Sequence, residues 1–286
     1  MPETEYETRV VGVGPLVKEL LNELQVVEVM DAALKYQPEI DATYGELSQA
    51  VIINRMGFEP KPLYGMSSWA EESGVAQLLG LDASWLDDDR LGSMLEGLAD
   101  NQVDIWSKIV VNGVAKFGLA PEYLNADTTS VYFEGSYENE DGTPKDETNG
   151  PLLVDGYNKD GKRKKAQYVL SLVNCGRVPL WYKPWDGNQT DDGVYLSDMR
   201  DLGKLDLNLA NAVLIGDRKL CNETNLLDFS RSRQQFLAPH PWRENAKKGW
   251  LAKWEQLEAG ELSWTAVDYV ARNQAGKAAD ERPHYK

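Results

Sequence analysis

The chain has 286 residues, 42% of them hydrophobic, enough for a substantial packed core and, at ~100–200 residues per domain, for two domains. Asp and Glu number 46 against 30 Lys and Arg, a net charge of −16, so the overall field repels nucleic acid and any DNA contact needs locally concentrated positive charge. Two cysteines, Cys175 and Cys221, cannot form a disulfide framework or a four-thiolate metal site; both read as ordinary buried or half-buried thiols. No apolar run of about 18 residues is present, and the acidic start Met1-Pro2-Glu3-Thr4-Glu5 lacks the basic-then-apolar layout of a secretory signal. The expectation is a cytoplasmic protein with no membrane partner.

From Pro15 to about Gly118 the apolar spacing is helical. Leu16, Val17, Leu20, Leu21 and Leu24 recur at i, i+3 and i+4, and Val26, Val27, Val29, Met30, Ala33 and Leu34 continue after a break. A third stripe, Leu47, Ala50, Val51, Ile52 and Met56, stops at Gly57. Ser67-Ser68 ahead of Trp69-Ala70-Glu71-Glu72 reads as an N-cap with acidic residues in the first turn. Leu91, Met94, Leu95, Leu98, Val103, Ile105, Trp106, Ile109 and Val110 predict one long helix or a helix pair. Gly12-Val13-Gly14 lacks the lysine and serine of a phosphate loop.

After Pro121 the period changes. Tyr123 to Phe133 is rich in β-branched and aromatic residues and predicts a strand with Asp127 inside it. Gly135 to Gly150 is polar and reads as a loop or hairpin tip. Gln167–Asn174 and Val178–Trp185 are apolar runs separated by Cys175-Gly176-Arg177, which suits antiparallel pairing. A helix across Asp191–Leu207, a buried strand Ala212–Gly216, a short helix Glu223–Phe229 and an apolar run Gln235–Ala238 complete the order β, β, β, α, β, α, β. That order predicts an α/β mixed sheet, antiparallel at its start, with a crossover helix before a parallel strand. Trp242, Trp250, Trp254 and Trp264 read as packing aromatics, while His240 and His284 have no nucleophile beside them.

Two aspartates carry the candidate chemistry. Asp127 sits where a strand otherwise wants burial, and an unpaired charge there is costly. Asp217 follows the apolar run Val213-Leu214-Ile215-Gly216, and ligand sites in open α/β sheets form beyond the carboxyl ends of strands. Two carboxylates brought together repel, and Mg²⁺ or Mn²⁺ is the usual relief for an oxygen-only site. Alternatively, each could simply cap a turn or helix. Lys159, Lys162, Arg163, Lys164 and Lys165 stand against Asp160 alone, a local excess of four positive charges that suits either DNA phosphates or a solvated hairpin.

Four segments in order, Asp127 to Tyr137, Gly156 to Gln167, Trp185 to Asp191 and Ile215 to Arg218, together resemble DDE-type transposases of the IS-four superfamily of insertion sequences. Asp127-Thr128-Thr129-Ser130-Val131-Tyr132-Phe133-Glu134-Gly135-Ser136-Tyr137 is similar to the family's first catalytic strand. Gly156 to Gln167 resembles its "GxSKDGRxDLxQ" signature, with Asn158 for serine and Lys165 for aspartate. Trp185-Asp186-Gly187-Asn188-Gln189-Thr190-Asp191 resembles its "xxGNxxD" turn, and Ile215-Gly216-Asp217-Arg218 its second catalytic aspartate, with Lys219 where glycine is common. The stretch from about Gly14 to Asn112 resembles the family's helical amino-terminal domain.

The resemblance implies a helical domain over 1–118 and a partial RNase H-like domain over 119–239. Residues 240–286 would begin an inserted or truncated carboxyl-terminal region. It also implies Asp127 and Asp217 as catalytic Mg²⁺ (or Mn²⁺) ligands, and DNA held by the five basic residues. The partners implied are transposon terminal inverted repeats and a second copy in a synaptic homodimer; the reaction is two-metal phosphodiester hydrolysis and strand transfer. The family's third carboxylate is a glutamate in a "YxxRxxxExxxK"-like helix. Glu255, Glu258 and Glu261 lack that context, and although Tyr269 and Arg272 fit its beginning, Gly276 stands four beyond Arg272. The expectation is a chain that stops before that residue. It could be completed by a separate downstream frame, or persist as a non-catalytic DNA-binding or subunit-interaction remnant. An RNase H-like nuclease is the alternative outside transposition.

Overall fold

The computed structural model describes residues 8–34, 42–57, 60–135, 137–139, 141–143, 150–156, 166–190, 193–241 and 244–263. Contacts divide the chain into two units, Met1–Pro239 and His240–Lys286.

Between Gly14 and Phe117 the described elements are all helical: α1 (Gly14–Glu23), α2 (Val26–Ala33), α3 (Tyr44–Met56), α4 (Met66–Ser73), α5 (Val75–Leu79), α6 (Asp88–Asp100) and α7 (Gln102–Phe117), with two short 3-10 turns. Their starts and stops follow local chemistry. Thr43 and Glu46 close a reciprocal capping box on α3, each side chain accepting from the other's backbone N–H. Asp87 caps α6 by accepting from Arg90 N–H, and Gly118 ends α7 in the left-handed conformation. The serine pair does not cap α4: that helix already begins at Met66, after Gly65, which places Ser67 and Ser68 in its first turn. The α1 stripe is also narrower than its spacing implies. Val17 and Leu21 are buried, but Leu16 and Leu20 face outward.

The helices enclose one core, including Leu47, Ile53, Met66, Leu86, Leu91 and Ile105. A second core includes Leu124, Val173, Trp181, Tyr195, Leu214 and Phe229. Helix α7 serves both. Ile105 points into the first; Val110 is buried in the second, where Trp106 and Val114 pack against it. Trp106 donates from Nε1 to the Leu180 carbonyl at 3.1 Å and meets Tyr182 edge-on, which ties the helices to the sheet.

The sheet comprises β1 (Tyr123–Tyr132), β2 (Val154–Asp155), β3 (Ala166–Cys175), β4 (Val178–Trp185), β5 (Val213–Ile215) and β6 (Gln235–Leu237), with α8 (Val194–Leu202) and α9 (Glu223–Ser232) between the later strands. β3 pairs antiparallel with β1 on one side and with β4 and β2 on the other; β5 runs parallel to β1, and β6 parallel to β5. The mixed sheet and the placement of its antiparallel and parallel halves agree with the order expected. The helix within Asp191–Leu207 is shorter than its spacing, and the two-residue β2 has no counterpart in the sequence reading.

In the second unit, α10 (Glu244–Glu258) carries Trp250 and Trp254 stacked on each other, ring centroids 5.3 Å apart. Both are substantially exposed, so they do not serve as core aromatics; Trp242 and Trp264 lie outside the described residues. No helix among the described residues is long and apolar enough to cross a membrane.

Candidate metal centre

Alternation along β1 decides how Asp127 is presented. Leu124, Ala126 and Thr128 are buried beneath the sheet, while Asn125, Asp127 and Thr129 face out. Asp127 is therefore not a buried charge, and the expectation that burial forces it to find a partner is incorrect. The period of two places the whole Asn125–Thr129 set of odd positions on the open face. Asp127 Oδ1 accepts from the Thr128 N–H at 2.8 Å.

Parallel pairing sets β5 beside β1. Tyr123, Leu124 and Asn125 are partnered by Val213, Leu214 and Ile215. Asp127 and Asp217 each stand two residues beyond the last pair of that ladder, Asn125 with Ile215. The Gly216 N–H still donates to Leu237 O at 3.1 Å, so the chain runs along β6 up to the residue before Asp217. A side chain at position 216 would strike Leu220, whose Cδ1 lies 2.9 Å from where its Cβ would be; glycine is what lets the chain turn closely after β5.

Asp217 is exposed and stands in that turn, its carbonyl accepting from the Leu220 N–H at 3.1 Å. It does not cap α9, whose N-cap is Asn222. Its Oδ1 accepts two hydrogen bonds, from the Lys219 N–H at 2.9 Å and from the Tyr195 hydroxyl at 3.0 Å. Both fall on the same oxygen, which leaves Oδ2 for another ligand. Oxygen-only donors in this number suit Mg²⁺ or Mn²⁺, because magnesium is commonly held by one or two carboxylates together with substrate phosphates. Among the described residues no group of three or more His, Cys, Asp or Glu side chains is placed to hold a metal ion, so Asp127 and Asp217 are joined by no third such side chain.

Lys159, Lys162, Arg163, Lys164 and Lys165 lie outside the described residues. The ends of their segment are placed, however. Asp155 pairs with Ala166 and Val154 with Gln167, beside the carboxyl end of β1, where Tyr132 also pairs with Gln167.

The signature residues that bracket this segment form an interlock. Buried Gln167 donates from Nε2 to the Gly187 carbonyl at 2.8 Å; Gly187 N–H donates to Leu152 O, and Leu152 N–H to Asp186 Oδ1. A Cβ on Gly187 would lie 2.5 Å from the Val154 carbonyl oxygen and closer still to that of Gln167. A Cβ on Gly156 would collide with the Gly187 carbonyl. Two motifs distant in sequence thus meet as backbone packing.

Sequence reasoning missed two further side chains. Tyr195, among the most deeply buried residues of the second core, gave no signal beyond one more aromatic in a helix. Asp198, 1% exposed on α8, is faced by Ser171 and Lys183 and by Trp181. Burial pushes its carboxyl up to about 6, with Ser171, Lys183 and Trp181 acting in the opposite direction and Asp201 adding to the rise. Burial also opposes ionisation of Asp201, but hydrogen bonds from Lys204 and Lys183 outweigh it and lower that pKa. The thiols of Cys175 and Cys221 are free and half-buried.

Residues 6–111 match the model of a family described as a domain of unknown function (DUF4277). No curated protein matches the sequence. Among solved structures, the chain is similar to the Mos1 transposase paired-end complex with left transposon end, at 12% identity and a TM-score of 0.27 over 77% of this chain and 73% of that one. It is also similar to the Mos1 mariner paired-end complex with Mn, at 10% identity and a TM-score of 0.27 over 83% of this chain and 78% of that one. A piggyBac transposase synaptic complex with hairpin DNA is similar at 13% identity and a TM-score of 0.37, over 93% of this chain and 57% of that one. Likenesses at this level assign no function.

Proposed function

We propose that this chain acts in DNA transposition as a DDE-type transposase of the IS-four superfamily, with an RNase H-like catalytic domain preceded by a helical amino-terminal domain. One observation supports the reading: Asp127, in β1, and Asp217, two residues beyond β5, match the first and second family aspartates and belong to strands that pair in parallel. Three antiparallel strands followed by a helical crossover to two parallel ones supports the RNase H-like assignment.

Asp127 and Asp217 would hold Mg²⁺ or Mn²⁺ between them. The ion, when bound, activates water or a DNA 3′-hydroxyl and offsets charge on the oxygens exchanged at phosphorus. Asp127 presents its carboxylate from the rigid middle of a ten-residue strand. Asp217 presents Oδ2 from a turn whose geometry Lys219 N–H and Gly216 maintain. Lys159, Lys162, Arg163, Lys164 and Lys165 concentrate positive charge that the chain's net balance lacks, so they would hold the phosphate backbone. No third carboxylate is assigned.

The test is Mn²⁺-dependent nicking of supercoiled plasmid carrying the element's terminal inverted repeats, alongside binding of the same ends across a salt series. Nicking by the wild-type chain, lost in Asp127→Asn and in Asp217→Asn, is the expected result. Nicking that survives both substitutions overturns the site. End binding without any nicking leaves the chain as a non-catalytic DNA-binding protein, and equal nicking of unrelated DNA makes it a nuclease.

A further inference from the structure

Resting on the metal site just proposed, we infer that Tyr195 is a positioning residue for it: the buried phenol on α8 fixes the Asp217 carboxylate so that Oδ2 is the oxygen given to the ion.

Asp217 needs such a device because of where it stands. Its side chain is exposed and follows a strand only three residues long, so neither packing nor a continued ladder restrains its rotamer. An exposed carboxylate in a turn would divide its time among several staggered orientations. Tyr195, by contrast, is enclosed by packing. It is 1% exposed and sits in the core that includes Leu124, Leu202 and Leu214, so its ring has no room to change orientation. Its hydroxyl donates to Asp217 Oδ1 at 3.0 Å, and the Lys219 N–H donates to the same oxygen at 2.9 Å. Two donors arriving at one oxygen, one from a helix across the sheet and one from the turn itself, define the carboxylate plane. The arrangement is the usual division of labour at a metal carboxylate, in which an outer partner orients the ligand and tunes its donor strength.

A purely structural latch between α8 and the turn after β5 is the competing explanation. It would affect stability, not ion affinity. The measurement is therefore Mn²⁺ binding to the metal-free full chain, read from the electron paramagnetic resonance signal of free Mn²⁺, together with thermal unfolding of each variant. Tyr195→Phe deletes the hydroxyl and keeps the ring. Leu202→Ala is the control: it weakens the same helix, since Leu202 is fully buried, but has no hydrogen bond to Asp217.

Tyr195→Phe is expected to weaken Mn²⁺ binding by roughly 10-fold, the lower end of what loss of an outer partner costs. Asp127→Asn and Asp217→Asn should weaken it further. Leu202→Ala should lower the melting temperature and leave Mn²⁺ affinity at the wild-type value. If the two aspartate variants bind Mn²⁺ like the wild type, the metal site itself is wrong. If they lose the ion while Tyr195→Phe keeps wild-type affinity, the site stands and the positioning role falls. Equal weakening by Leu202→Ala and Tyr195→Phe reduces Tyr195 to a packing residue.

Discussion

Replacing Asp198 with asparagine should make the protein more stable near neutral pH, and the size of the gain follows from the burial of the carboxyl. The folded-state pKa is raised from 3.8 to about 6, chiefly by burial. A raised carboxyl pKa means that the folded state holds its proton more tightly than the unfolded chain does. The resulting stabilisation is fully present below about pH 4 and is lost as pH rises through about 6. About two pKa units correspond to roughly 3 kcal/mol between those limits. Asparagine keeps the shape of the protonated acid and does not titrate. The difference in unfolding free energy, Asp198→Asn minus wild type, should therefore increase by up to roughly 3 kcal/mol between pH 4 and pH 7. Urea denaturation of both proteins at pH 4.5, 6 and 7.5 measures it, and the subtraction cancels the other acidic residues. A difference that is constant across pH, or that falls as pH rises, would show that Asp198 ionises readily beside Lys183 and would refute the reasoning.

Two structural predictions concern backbone that the sequence motifs make possible. Gly187→Ala drives a methyl group into the carbonyl oxygens of Val154 and Gln167, neither of which can withdraw without disturbing the β2–β3 pairing, so unfolding free energy in urea should fall by about 2 kcal/mol or more. Thr43→Ala removes one half of the α3 capping box and should cost about 1 kcal/mol, measured in the same way.

The coarse architecture was legible because it rests on periodicity. The change from helical spacing to strand composition at Pro121 is local, as is the glycine-arginine turn between β3 and β4, where Gly176 adopts a positive φ. What burial does to an individual residue was less legible. The β-branched run around Asp127 looks like a fully buried strand, yet only its even positions are covered, and Leu16, Leu20, Trp250 and Trp254 are apolar residues left facing outward. Proximity across the fold could not be read at all. That Tyr195 reaches Asp217, that Asp198 lies beneath β3 and β4, and that Gly156 and Gly187 must both lack side chains all depend on elements brought together from separate parts of the chain. The motifs recorded the last of these as spelling, without its reason.

The parallel pairing of β1 with β5 also bears on when the proposed metal centre could form during folding. β1, β3 and β4 follow one another by antiparallel pairing of neighbouring strands, and Asp127 can take its place as soon as those strands zip together. Asp217 joins only after α8 has crossed back and β5 has found β1, the pairing with the longer loop to close and the slower one to form. Asp127 would then wait on a partly built sheet, and the appearance of Mn²⁺ affinity in a refolding experiment would mark completion of its central pairing rather than its beginning.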